Sequence, residues 1–346
     1  MAAYPSDYDF HVVLRDGGLA HVRPIKGDDA DALHAMFHRL GRDTVYHRFF
    51  RHKQDLTLEE LRYFTELDYE DRMGFVVELG GKMIAVGRYD RMEDDPSVAE
   101  VAFVVEDGHQ GRGIGSQLLT HLTNYARNNG VNAFRAFVLP DNYPMMRVFR
   151  SSGFRLRREM GEGIYTVEFP VELTDEAKRA AWQHEQQAVA ASLLPMFYPR
   201  SVAIVGASRE ERSIGARVMR NTLRARFSGV VYPVNPNARS ISSVRAYKSL
   251  TEIPDAVDLG IVILPPKAAL ASVQEAVEKG VKGIVIVSAG FREIGPEGRA
   301  IEDRIVATCR EAGVRLIGPN CLGVINPLEA VRLNASFSAR MPKAGN

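Results

Sequence analysis

Through its second half the chain alternates short, continuous apolar runs with stretches of helical periodicity, and few architectures accept that order. The runs, apolar but for Ser201 and Arg315 at the start of two of them, are 201–205, 230–234, 259–264, 283–287 and 315–317; helices follow Gly215, begin at Pro266, and occupy the stretch before Arg315. A run apolar at every position is buried on both faces, and a helix between successive runs carries the chain back to start the next strand in the same direction. The expectation is a doubly wound parallel sheet. Its turns at the strand carboxyl ends then share one edge, where such sheets bind ligands.

The first half reads differently. Strands are expected at 20–24, 74–79, 82–89, 98–105 and 134–139, the second and third joined by Gly80 and Gly81, which tolerate the positive φ of a tight hairpin. Asp28 is expected to cap a helix presenting Leu33, Met36, Phe37 and Leu40 on one face, and Thr57 with Glu60 has capping-box spacing ahead of Leu61 and Phe64. The connection between these helices, with Tyr46, Arg48, Phe49, Phe50 and Arg51, reads as a loop. A Gly-rich turn precedes a helix with Leu118, Leu119, Leu122 and Ala126 on one face. Thr174 caps an Ala/Gln/Glu-rich helix that Pro195 is expected to end. This divides the 346 residues into a first α+β domain over 1–172, a helical linker over 173–196, a parallel-sheet domain over 197–327 and a tail over 328–346.

Charge and cysteine content narrow the partners. Lys and Arg number 44 against 43 Asp and Glu, so no bulk field recruits nucleic acid or an anionic membrane, and any anion site must be local. Only Cys309 and Cys321 are present, too few and too far apart for a disulfide framework or a zinc site. No apolar run approaches the roughly 20 residues that span a bilayer, and the start lacks an export signal. Cytoplasm is the expected location.

The first candidate site is Gln110-Gly111-Arg112-Gly113-Ile114-Gly115, between a strand and an amphipathic helix, where glycines let backbone N–H groups approach a phosphate. With Asn142, Phe149, Gly153 and Phe154 downstream, residues 10–170 resemble the GNAT acetyltransferase superfamily. The resemblance implies that the pyrophosphate of acetyl-CoA, the donor substrate, rests on Gln110, Gly111, Arg112, Gly113, Ile114 and Gly115. Pantetheine would lie along Phe103, Val104 and Val105 between two splayed strands, with Asn142 facing the cofactor's other side. Glu100 shares a strand face with Ala102 and Val104, where desolvation would raise its pKa toward that of a working general base. The competing reading is a strand carboxylate paired with an arginine. Many members of the superfamily carry a tyrosine as general acid where this chain has Phe149, which cannot donate a proton; Tyr143 or a water would have to substitute. His109 and Tyr125 are also close in sequence, but a histidine beside a turn is ordinarily only solvated.

The second candidate site is Gly206-Ala207-Ser208 after the strand 201–205, with Ser213-Ile214-Gly215 opening a helix. Its spacing is not the dinucleotide one, and the next strand ends at Asn235 and Pro236 rather than an acidic residue, which disfavours NAD. Further turns contain Pro265, Ser288 and Asn320. Together these segments resemble the Rossmann-like CoA-binding domain of NDP-forming acyl-CoA synthetases, the succinyl-CoA synthetase alpha type. By that resemblance Gly206, Ser208 and Gly215 cradle a phosphate, and Asn235, Pro265, Ser288 and Asn320 surround a second CoA or an acyl-CoA. Cys321 reads as a small packing residue rather than a nucleophile, and Cys309 as core.

The full synthetases add a phosphohistidine domain and an ATP-grasp module. No histidine follows His184, so no such relay runs within this second region, and the tail resembles a lead-in to a missing domain of a truncated chain. The combination resembles bacterial Pat-type protein lysine acetyltransferases. It implies direct transfer from acetyl-CoA to a protein lysine, for example on an AMP-forming acyl-CoA synthetase, with no metal, a CoA-sensing second domain and scope for oligomerisation. A small-amine acetyltransferase, a fragment of a bifunctional NDP-forming acetate–CoA ligase/acetyltransferase, and a non-catalytic CoA sensor are the alternatives.

Overall fold

A computed structural model describes residues 3–172 and 174–345. Met1 and Ala2 of the expected first domain, Leu173 at the expected start of the linker and Asn346 at the end of the expected tail lie outside the described residues. The chain divides into two compact units, Met1–Val189 and Ala190–Asn346.

The first unit contains β1 (Phe10–Val13), β2 (Leu19–Pro24), α1 (Ala30–Phe37), α2 (Arg42–Phe49), α3 (Leu58–Thr65), β3 (Arg72–Leu79), β4 (Lys82–Arg91), β5 (Val98–Val105), α4 (Ile114–Asn128), β6 (Ala133–Val138), α5 (Tyr143–Ser151), β7 (Arg157–Gly161) and β8 (Ile164–Pro170). Its eight strands form one sheet in the order β1-β2-β3-β4-β5-β6-β8-β7. All pairings are antiparallel except β5 with β6, which run parallel because α4 carries the chain across between them. That pairing is short: Val98, Ala99 and Glu100 meet Ala133, Phe134 and Arg135, and the strands then part.

Several local expectations change. The segment read as a loop is α2, whose Val45 is buried. Its charged residues hide the apolar period. Asp28 does not cap α1. Residues Gly27–Asp29 form a 3-10 turn, and Asp29 accepts from the Lys26 N–H at 2.8 Å while pairing with Arg23 at 2.7 Å. The Thr57–Glu60 capping box is present in both directions. Helix α6 (Asp175–Phe197) passes through Pro195 rather than stopping there, although Thr174 does accept from the Ala177 N–H at 3.1 Å.

In the second unit, β9 (Ser201–Val205), β10 (Val230–Val234), β13 (Leu259–Val262), β14 (Gly283–Ile286) and β15 (Arg315–Ile317) form a parallel sheet ordered β10-β9-β13-β14-β15. Two-residue strands β11 (Ser240–Ile241) and β12 (Val244–Arg245) pair separately. Helices α7 (Ile214–Arg224), α8 (Pro266–Lys279) and α9 (Pro296–Glu311) make the connections, and β16 (Gly323–Asn326) pairs antiparallel with β17 (Leu333–Ser336). The strand order reverses between β9 and β13, the switch point where open α/β sheets leave a crevice. Val202, Ile204, Leu259, Ile261 and Val285 are buried against α7 on one face, while Ala203, Val205, Val262, Ile284 and Ile286 pack with α8 and α9 on the other. Continuous apolar strands are therefore a direct consequence of cover on both sides.

Gly206 has φ +89°, and a Cβ on Gly215 would overlap the Gly206 carbonyl oxygen, so the start of α7 sits directly on the turn after β9. Gly215→Ala is expected to destabilise the second unit by about 2 kcal/mol or more. Hydrogen exchange should show faster opening of β9 and β13 amides while β3 and β4 amides are unchanged.

Candidate functional site

The parting of β5 and β6 after Glu100 leaves one edge of each strand without a partner from the other. At the mouth of this fork the chain makes a 3-10 turn at Asp107–His109 and then the Gly-rich turn, with Gly111 at φ +76° and Gly113 at φ +87°. α4 starts at Ile114 with Gly113 as its N-cap and no side chain capping it. Its first amides therefore point outward with no internal acceptor, and the helix dipole adds to their attraction for an anion.

A cavity of about 410 Å³ occupies this position. It is lined by Phe103, Val104 and Val105 of β5, by Gln110, Gly111, Gly113, Ile114 and Gly115, and by Asn142 at the start of α5. The Asn142 Oδ1 accepts from the Met145 N–H at 3.1 Å, which caps α5 and fixes the residue at the cavity wall. Arg112 is turned away: its Nε donates to Asp16 at 2.6 Å, an Nη lies 2.8 Å from His109 Nδ1, and its carbonyl accepts from the Arg15 N–H at 2.9 Å. It braces the β1–β2 hairpin against the turn.

Several lining residues were not singled out from the sequence. α2 contributes Asp43, Thr44, His47 and Arg48, and the β1–β2 hairpin contributes Arg15. Asp107 accepts from the Gly41 N–H at 2.7 Å and the Thr44 hydroxyl at 2.8 Å, so α2 is tied to the 3-10 turn that leads into the Gly-rich turn. The RFFR run was the available signal. It could be used only once residues 42–49 were recognised as helix.

Glu100 is exposed and sits at the last paired position of the fork, across from Arg135. Arg135 is committed to Glu168 at 3.0 Å, and among the described residues the Glu100 carboxylate forms no ion pair and accepts no hydrogen bond. The paired-arginine reading therefore has no contact behind it. Desolvation by the surrounding walls is the main influence on the carboxyl and raises its pKa; Arg48 pulls it back down, and Asp90 adds to the rise. Arg48 is itself pushed down to about 10, first by desolvation and then by Arg88. Glu100 does not line the larger cavity. Ala102 and Val104, on its own strand face, line a smaller adjoining one with Arg48, Arg88 and Phe64.

Phe149 is 1% exposed, with its ring 6.3 Å from that of Phe103 and 5.2 Å from that of Phe169, so it belongs to the core. Tyr143 is 71% exposed and does not line the cavity. Tyr125 is buried and donates to the Tyr69 carbonyl at 2.7 Å, which is a structural bond. His109 lines the cavity, but with its ring held by Arg112.

In the second unit the candidate residues follow the strand carboxyl ends and so share one sheet edge: Gly206 and Ser208 after β9, Asn235 after β10, Pro265 after β13, Ser288 after β14 and Asn320 after β15. Asn235 Nδ2 donates to the Ala207 carbonyl at 2.8 Å, joining two of these turns, and the Asn320 N–H donates to the Ser288 carbonyl at 2.9 Å, joining two more. Gly215 is buried beneath Gly206 and serves packing. Cys321 donates to the Ile286 carbonyl at 3.3 Å and burial raises its pKa, while Cys309 is pushed up to about 11. Neither thiol is poised as a nucleophile.

Residues 35–154 match the acetyltransferase (GNAT) family and residues 200–327 match the CoA binding domain. The chain is 33% identical over 180 residues to the acetyltransferase Pat of Mycolicibacterium smegmatis, covering 49% of this chain and 54% of that protein. It is 45% identical over 150 residues to the ADP-forming acetate–CoA ligase I of Archaeoglobus fulgidus, covering 43% of this chain but only 21% of the ligase. The crystal structure of the GNAT domain of S. lividans PAT is 40% identical, covers 49% of this chain and 99% of its own, and has a TM-score of 0.47. By the two family matches the first unit carries a GNAT acetyltransferase domain and the second a CoA-binding domain. Among the described residues no helix is long and apolar enough to cross a membrane.

An L-residue in the left-handed region costs about 1–2 kcal/mol, and a Cβ on Gly113 would also stand 3.0 Å from Arg15 Cγ. Gly113→Val should therefore raise at least about tenfold the CoA concentration needed for half-maximal hydrogen-exchange protection of residues 103–116, since 1.4 kcal/mol is one decade. Unchanged protection would show that the turn does not hold the cofactor.

Proposed function

We propose that the chain transfers the acetyl group of acetyl-CoA directly to the side-chain amine of a protein lysine, with Glu100 as general base. The carrying observation is the fork itself. Strand pairing stops at Glu100, and three residues further along β5 the cavity wall begins beneath the uncapped start of α4. A donor lying along Phe103, Val104 and Val105, with its pyrophosphate on the amides of the Gly-rich turn, would bring its thioester toward the paired end of the fork. The acceptor would enter from the side lined by Arg48, Arg88 and Ala102.

At pH 7.4 only roughly one lysine in a thousand is neutral, given a pKa of about 10.4. The neutral amine attacks the thioester carbonyl to give a tetrahedral intermediate. The nitrogen's extra proton passes to the Glu100 carboxylate, the C–S bond breaks, and CoA leaves as a thiolate that takes its proton from solvent. Phe149 leaves no side-chain acid at the position many relatives use, and a thiolate is stable enough to depart without one.

The acceptor is read as a lysine on a protein such as an acyl-CoA synthetase, in the cytoplasm, by likeness to the Pat-type enzymes. The second unit is read as a regulatory site for CoA or an acyl-CoA, held by Gly206, Ser208, Gly215, Asn235, Pro265, Ser288 and Asn320. Occupancy there would alter transfer only by favouring one of two arrangements of the chain over the other.

Glu100→Gln should lower the steady-state acetylation rate at least about tenfold while acetyl-CoA still protects residues 103–116. The base works ionised, so wild-type kcat/KM should fall as pH drops through a carboxyl pKa displaced above the ordinary range, and that limb should vanish in the variant. An unchanged rate removes Glu100 from the mechanism. Mass spectrometry of lysines on folded synthetases, set against polyamine and aminoglycoside acceptors, tests the acceptor class.

A further inference from the structure

Away from the groove, one group of side chains has a chemistry that neither nucleotide site uses. His34 and His38 are four residues apart on α1 and its C-cap, a spacing that brings both rings to the same side of the helix, one turn apart. Asp55 reaches them from the segment ahead of α3. His34 Nε2 lies 2.6 Å from Asp55 Oδ1, His38 Nε2 lies 3.3 Å from the same oxygen, and the two Nε2 atoms are 3.2 Å apart. Among the described residues this is the one group of three or more His, Cys, Asp or Glu donors that converges closely enough to hold an ion.

The distances suit a small tetrahedral cation. Metal–ligand bonds near 2.0–2.1 Å place neighbouring donor atoms about 3.3 Å apart. Two of the three separations already have that value. The third, a hydrogen bond between His34 and Asp55, must open by about 0.7 Å to reach it. Asp55 can make that adjustment because its side chain is 59% exposed and it stands outside regular structure. Its carboxylate also accepts from the Leu56 N–H at 2.8 Å, which keeps it directed at the rings.

We propose that His34 Nε2, His38 Nε2 and the Asp55 carboxylate bind one divalent transition-metal ion of the zinc class, with the outer coordination position left to water. Two imidazoles and one carboxylate favour zinc over magnesium or calcium, which require oxygen donors and more of them. The ligands come from two segments, so the ion cross-links α1 to the approach to α3. Phe37, Leu56 and Phe64, carried by those same elements, line the small cavity beside Arg48 and Ala102. Binding therefore stiffens one wall of the first unit. The proposal does not depend on the acceptor or on Glu100.

The test is calorimetric titration of ZnCl₂ into the full chain in chelator-free buffer. One equivalent should bind saturably, and His38→Ala and Asp55→Ala should each raise Kd at least about tenfold. Zinc at a hundredfold excess over Kd should raise Tm by roughly 5 °C, and magnesium should not. All three side chains are exposed to half-exposed, so the variants should keep the metal-free circular dichroism spectrum. As a second readout, Co²⁺-loaded wild type should show visible d–d absorption that both variants lose. Equal affinities in wild type and variants, equal binding of magnesium, or no saturable binding overturns the site.

Discussion

The first unit depends on a parallel strand pairing that ends early. β5 and β6 share three residue pairs and then separate, so their facing edges carry N–H and C=O groups that β-structure would otherwise satisfy. On its other side β5 stays paired with β4 as far as Val105, and β6 stays paired with β8 as far as Val138. Each strand is thus held firmly along one edge and open along the other. Gly87 of β4 helps set this geometry, since a Cβ there would stand 2.9 Å from the Phe103 ring and 3.1 Å from Leu118. Its absence lets Phe103 settle against α4 and the Phe149 ring. An extended ligand with amides of its own can supply the missing strand contacts, as peptides do at sheet edges.

What the sequence disclosed follows from how locally each feature is encoded. The parallel sheet was legible because strands buried on both faces must be largely apolar, and 201–205 and 230–234 carry no charged residue and only Ser201 as a polar end. The Gly-rich turn was legible because positive φ at Gly111 and Gly113 needs that residue type. α2 was not. Its eight residues bury only Val45, so the helical period has almost nothing to write itself with, yet this helix brings His47 and Arg48 to the cavity. β1, β7 and β8 were also passed over. β7 is exposed along its whole length and has no apolar alternation, and is held by its backbone pairing with β8. Asp29 rather than Asp28 anchors the entry to α1 because both terminal guanidinium nitrogens of Arg23 on β2 donate to its carboxylate, at 2.8 and 2.7 Å.

The two helix starts offer an anion different resources. At α4 the first-turn amides have no side-chain cap, and the glycine before them supplies only backbone, so an incoming phosphate meets donors that nothing else has claimed. At α7, Ser213 already accepts from the Ala216 N–H at 3.1 Å and donates to the Glu210 carbonyl at 2.7 Å. A phosphate there must either displace that cap or use other donors along the sheet edge. Each lost cap costs about 1 kcal/mol, so the start of α7 is the less inviting of the two helix termini for an anion. If a ligand in the second unit changed the affinity of the first for its donor, the donor would change the second unit's affinity for that ligand by the same factor, a symmetry that binding obeys and a rate need not.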